Sequence, residues 1–146
     1  MDLIMKTFEA LSKRELYEIL RLRSEVFIVE QGGRYQDLDG IDYDSIHIFE
    51  MDSQGCTGCV RVFLKEDEED VCQIGRLVVK DRMHGLGKEL MDAAEAVALR
   101  EYSCRKLFLT GRRSARGFYE KCGYSAQVPE GYKEKDAPYF LFRKEL

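Results

Sequence analysis

Ile74 to Leu99, IGRLVVKDRMHGLGKELMDAAEAVAL, constrains this chain more than any other stretch, because its hydrophobic period changes midway. Leu77, Val78 and Val79 form an apolar run rich in β-branched residues, as a covered central strand requires. Arg82 to Gly87 spells R-x-x-G-x-G. Beyond it Leu90, Met91, Ala94, Val97 and Ala98 recur on one helical face. Gly85 and Gly87 remove Cβ atoms where backbone N–H groups would meet a ligand closely. The first turn of a helix leaves its N–H groups unpaired at the positive end of the dipole, so it favours phosphate. The stretch is read as strand, turn and helix carrying a diphosphate site.

Two common diphosphate motifs do not fit. A P-loop needs G-x-x-x-x-G-K-[ST], but Arg82 stands at its first glycine and Glu89 follows Lys88. The dinucleotide fingerprint needs a small residue where Leu90 stands. Its ribose-binding acid is also missing, since the corresponding neighbourhood is Cys104-Arg105-Lys106.

The 146 residues are enough for one domain with a full core, and 1–146 is read as a single domain. At 45% hydrophobic and 34% charged residues, the composition excludes a disordered or membrane-embedded chain. No apolar run approaches transmembrane length, and no signal-peptide core is visible. A net charge of −4 without a dense basic patch argues against nucleic acid as a partner. Five cysteines without a framework spacing fit free thiols in a reducing cytoplasm. A homodimer is left open.

Along the chain, Leu3 to Ala10 reads as a strand and Ser12-x-x-Glu15 as a capping box. Leu16, Ile19, Leu20, Leu22 and Val26 continue as a helical stripe that Gly32-Gly33 ends. Ile46–Met51 and Cys59–Leu64 predict a hairpin around Asp52-Ser53-Gln54-Gly55. Glu66 to Asp70 reads as a solvated turn. Lys106–Thr110 is a short strand, Ser114–Cys122 a helix stopped by Gly123. Tyr124–Val128 and Tyr139–Arg143 close the sheet, with Pro129 and Pro138 in the connection. The order β-α-β-β-β-α-β-α-β-β implies an α/β chain with a mixed sheet and helices on its faces.

The loop R-x-x-G-x-G resembles the acetyl-CoA loop of the GNAT N-acetyltransferase superfamily, (R/Q)-x-x-G-x-(G/A). The order of elements matches as well. Ala115-x-x-Phe118-Tyr119-Glu120-Lys121-x-Gly123-Tyr124 resembles that family's A-x-x-(L/F)-Y-x-K-x-G-F segment, and LRLRSEVFIVEQ with YQDLDGID resembles its ElaA-like subgroup. The LRLRSEVFIVEQ region is also faintly similar to acyl-homoserine-lactone synthases, whereas the glycine loop favours CoA. Two departures stand out: Arg112 where many members have a cofactor-holding Asn, and Met83 at a frequent glycine.

The resemblance implies the GNAT acyl-CoA N-acyltransferase fold, a mixed twisted sheet of roughly six to seven strands with about four flanking helices. It implies acetyl-CoA as cosubstrate, an unidentified primary amine as acceptor, direct attack in a ternary complex, and no metal. Backbone groups of Leu77 and Val79 would pair with pantetheine as an added strand, and an N–H near Val78 would face the thioester oxygen. The amides of His84, Gly85, Leu86, Gly87 and Lys88 would hold the pyrophosphate, with Arg82 adding charge. Tyr119 is the expected general acid, the alternative being a core tyrosine bonded to backbone. Glu30, Asp39, His47 and Glu50 are in segments able to reach the acceptor, and none stands out as base; a water relay is equally open. The other-class alternative is a CoA-binding sensor with little turnover.

Two further patterns are weaker. Asp37, Asp39, Asp42 and Asp44 cannot form an EF-hand, because Tyr35 and Ile46 occupy its first and last ligand positions. That acidic loop would either attract a cationic amine or be solvated surface. Cys56-x-x-Cys59 lacks a second ligand pair for zinc.

Overall fold

The computed structural model describes residues 2–82 and 84–146; Met83 lies outside them. Seven strands form one mixed sheet: β1 (Ile4–Thr7), β2 (Ile46–Asp52), β3 (Gly55–Leu64), β4 (Val71–Val79), β5 (Lys106–Arg112), β6 (Ser125–Gln127) and β7 (Tyr139–Glu145). Their spatial order is β1-β2-β3-β4-β5-β7-β6. Only β4 and β5 are parallel; every other neighbouring pair is antiparallel.

Three α-helices pack on the sheet: α1 (Lys13–Arg23), α2 (Leu86–Tyr102) and α3 (Arg116–Lys121). The α2 stripe lies entirely in the core, with Leu90, Met91, Ala94 and Ala98 at 0% exposure against Ile48, Val60 and Ile74. Burying such side chains stabilises by about 1.5–3 kcal/mol for each large one. The neighbouring sheet residues Phe49 and Cys59 point to the other face, where Ile19, Leu22 and Val26 cover them. The sheet is thus sandwiched between α1 and α2.

Local chemistry sets the boundaries. Ser12 forms the capping box: its hydroxyl accepts from the Glu15 N–H at 3.0 Å, and Glu15 accepts from the Ser12 N–H at 2.8 Å. Past Arg23 the helix widens into a π-helical segment, Ser24–Glu30, and the Gln31 N–H reaches five residues back to the Val26 carbonyl at 3.0 Å. Gly33 then donates to the Phe27 carbonyl at 2.9 Å. The first strand is shorter than the apolar run predicts, because Phe8–Ala10 turn into a 3₁₀ segment before the cap. β3 starts earlier than predicted, at Gly55, whose φ of +133° suits glycine, so Cys56 lies in the strand.

Three of the four aspartates of the acidic loop are engaged by arginines and are not free to attract an amine, while Asp44 is exposed. Arg23, 1% exposed, forks onto Asp42 at 2.7 and 3.2 Å and bonds Asp37 at 3.1 Å. Arg61, 3% exposed, forks onto Asp39 at 2.9 and 2.7 Å and reaches Asp42 at 3.0 Å. Arg76 contacts Asp37 at 2.8 Å and Asp39 at 3.3 Å. Three arginines from α1, β3 and β4 thus meet three loop aspartates, and the buried charges balance. Such a network costs desolvation to form, but losing one member leaves a buried charge uncompensated.

Asp42→Asn should therefore destabilise the protein by about 3–5 kcal/mol, read as a lower urea midpoint at unchanged slope. The pH dependence has a definite sign. Burial pushes the Asp39 and Asp42 carboxyls up, and the arginines pull them below the usual range, Asp39 to about 2. Their contribution should be complete above the ordinary carboxyl value of 3.8 and lost as pH falls toward about 2. Stability of Asp42→Asn should fall less steeply across that window.

Candidate active site

β4 and β5 stay paired only at Val71–Lys106, Cys72–Leu107 and Gln73–Phe108. Beyond Gln73 the two strands part, and β4 loses its partner on that side. The divergence coincides with a bulge in β4. Between the pairs Cys59–Val78 and Arg61–Gly75, one β3 residue, Val60, faces two of β4, Arg76 and Leu77. Arg76 has a φ of +55°, the left-handed region that side chains avoid. Its guanidinium is tied to Asp37 and Asp39 and lies 5.4 Å from the Tyr35 ring centre.

The ladder on the other side shows which backbone groups face the opening. Lys80 N–H donates to the Thr57 carbonyl at 2.8 Å, and Gly58 stands opposite Val79. In an antiparallel ladder that parity makes Cys59–Val78 the hydrogen-bonded pair and turns the Val79 N–H and C=O away from β3. Alternation turns the Leu77 groups the same way. The amide of Val78 itself faces β3 and is turned away from the opening.

A cleft of about 930 Å³ fills the gap, lined by Ile74–Val79 of β4, 109–112 of β5 and Phe118 and Tyr119 of α3. At one end lies the start of α2. Gly85 is its N-cap with a φ of +74°, and no side chain caps the helix, so its first amides are not occupied by a cap. Arg82, Gly85, Gly87 and Lys88 line this end. Leu86 turns inward instead, at 9% exposure, onto Gly58, where a Cβ would come within 2.6 Å of it. Among the described residues the nearby polar side chains pair at the surface: Lys88–Asp92 at 2.9 Å, His84–Asp81 at 2.8 Å and Arg82–Glu30 at 3.7 Å. Exposed pairs of this kind are weak and easily exchanged for phosphate.

Tyr119 is 9% exposed, yet its hydroxyl makes no hydrogen bond with the described residues. Tyr124, by contrast, is bonded to Glu95 at 2.9 Å and Tyr102 to the Val62 carbonyl at 3.5 Å. The alternative of a backbone-bonded core tyrosine therefore does not describe Tyr119. Burial, then the nearby Cys122, pushes its pKa up to about 12, so the phenol is a proton donor throughout the neutral range. Gly111 makes room for the ring: a Cβ there would stand 2.7 Å from Tyr119 Cε2 and 2.9 Å from Phe142.

The other expected acceptor residues lie elsewhere. Asp39 is engaged by Arg61. His47 is 2% exposed, its Nε2 donating to the Asp42 carbonyl at 2.9 Å, and burial lowers its pKa, so it stays neutral. Glu50 accepts from the Thr57 hydroxyl at 2.7 Å. Glu30 is exposed near Arg82. Phe27, Gln31, Tyr35 and Tyr139, which no sequence argument singled out, also line the cleft. Gly111 was also missed, although an isolated glycine in a strand signals a close approach.

The model of the acetyltransferase (GNAT) family matches residues 13–124. A UPF0039 protein of Schizosaccharomyces pombe is 32% identical over 149 aligned positions, covering 100% of this chain and 98% of that protein. Among solved structures, an acyl-CoA N-acyltransferase from Pseudomonas aeruginosa superposes with a TM-score of 0.84 at 32% identity over 99% of both chains. Escherichia coli ElaA does so with a TM-score of 0.86 at 28% identity, again over 99% of both. The chain belongs to the GNAT acetyltransferase family and is an acyltransferase. Within that family its relatives include the ElaA and UPF0039 proteins.

Gly111→Ala should cost about 1–3 kcal/mol through overpacking against Tyr119 and Phe142. The near-ultraviolet circular dichroism of the tyrosines should change with it. An unchanged melting temperature and spectrum would show that the ring does not depend on this glycine.

Proposed function

We propose that this enzyme transfers the acetyl group of acetyl-CoA to a primary amine, by direct attack while both are bound. The observation that carries the reading is the unpaired edge of β4 running from the Arg76 bulge toward the uncapped start of α2. A pantetheine arm is an extended chain of amides, and Leu77 and Val79 offer it backbone groups as a neighbouring strand would. The amides from His84 to Lys88 suit a pyrophosphate, and Arg82 adds charge. The site therefore fits this cosubstrate.

Acetyl-CoA supplies an activated acyl thioester. A β4 N–H near Val78, from Leu77 or Val79, is suited to stabilise negative charge developing on its oxygen. Tyr119 lies on the β5 side of the same cleft and holds its proton at neutral pH. We assign it to hydrogen-bond and protonate the departing sulfur. The dryness that keeps the phenol protonated also raises the basicity of a thiolate held beside it, which narrows the mismatch between them. Asp39 and His47 are committed elsewhere, so we assign removal of the ammonium proton to water in the open cleft. Residues 1–146 act as one domain in this reading, and their five buried free thiols suit the cytoplasm.

Tyr119→Phe keeps the ring and its packing but deletes the donor. It should bind acetyl-CoA normally and melt as the wild type does, with kcat lowered on the order of 10²-fold. Wild-type turnover, with chemistry shown to limit the rate, would reject Tyr119 as the acid.

A further inference from the structure

Four cations line the cleft: Arg76, Arg82, Lys88 and Arg112. Arg82 and Lys88 stand at the phosphate end by the start of α2. Arg76 is held by Asp37 and Asp39. Arg112 is the last residue of β5, and its side chain makes no hydrogen bond or ion pair with the described residues. Its neighbours at the same corner are occupied: Arg113 donates to the Glu134 and Ala137 carbonyls, and Arg116 pairs with Glu134 at 2.7 Å.

The height of Arg112 in the sheet separates it from the phosphate end. Beyond the last pair, Gln73–Phe108, the bulge takes up one residue of β4, so Arg112 on β5 comes to about the height of Val78 on β4. Arg112 thus stands level with the backbone assigned to the reacting thioester, whereas Gly85 and Lys88 lie past the end of β4. Around it are Tyr139, its partner across the ladder, and Tyr35, which lines the same cleft. No aspartate or glutamate is among the described residues lining the cleft, and the aspartates that would have attracted a cation face Arg23 and Arg61. A free guanidinium repels a simple alkylammonium and binds a planar carboxylate through paired N–H donors.

We propose that the acceptor is an α-amino acid, its carboxylate held by Arg112 while its amine reaches the thioester. This rests on the acetyl-transfer reading and narrows its acceptor. Arg112 is then a specificity determinant, absent from the chemical step itself.

The test uses matched acceptors that differ only in the carboxylate: phenylalanine with 2-phenylethylamine, tyrosine with tyramine, leucine with isoamylamine. CoA release is measured for wild type, Arg112→Gln and Arg112→Lys, and acetyl-CoA affinity by calorimetry. The wild type should favour the amino acid of each pair. Arg112→Gln should raise KM for amino acids by about tenfold or more, the scale of a lost charge-assisted hydrogen bond, and barely change KM for the amines. Arg112→Lys should recover part of the loss, and acetyl-CoA affinity should be the same in all three. Preference for the decarboxylated amines, or equal losses on both members of a pair, would overturn the proposal and leave acetyl transfer standing. Weakened acetyl-CoA binding in Arg112→Gln would overturn it too, by assigning the arginine to the cofactor. No CoA release with any amine would overturn both readings.

Discussion

The contact of Arg76 with Asp37 and Asp39 is the constraint on which the open cleft depends. A side chain at positive φ costs about 1–2 kcal/mol relative to the ordinary regions. Arg76 sustains that conformation because its guanidinium is drawn into a cluster already anchored by Arg23 and Arg61. The extra residue at this point shifts the register between β3 and β4. Past it, Leu77 and Val79 present backbone groups to a gap instead of to β5. A buried ion cluster that adds little net stability thereby selects one strand geometry.

The opposite wall is shaped by omission. Gly111 lets the Tyr119 ring lie directly on β5, and Gly58 lets Leu86 bring the start of α2 down onto β3. The positive end of a helix, an unpaired strand edge and an unbonded phenol consequently line or border one cleft. Side chains anchored in the two cores hold each of them, so little reorganisation is needed when a ligand enters.

The order of elements was legible because periodicity is a local signal: the α2 stripe, the Ser12 capping box and the Asp52–Gly55 hairpin each need only neighbours in sequence. The glycine loop was legible for the same reason. The role of the acidic loop was not, since Asp37, Asp39 and Asp42 find partners at 23, 61 and 76, on separate elements. An aspartate-rich run looks identical in sequence whether water or arginine surrounds it. The bulge was hidden similarly: arginine carries no signal for positive φ, and only distant carboxylates make it tenable. The place of Tyr119 on a helix was legible from its motif, but its unbonded hydroxyl and the glycine beneath it emerge only from the packing of α3 on β5.

The most direct test of this account reads the backbone of β4 itself. Amide hydrogen exchange followed by NMR, with and without saturating acetyl-CoA, reports each N–H of Leu77, Val78 and Val79 separately. The account predicts that Leu77 and Val79 become strongly protected on binding, while Val78, already bonded to β3, changes little. Saturation with acetyl-CoA that leaves the Leu77 and Val79 amides exchanging as in the free protein would contradict it.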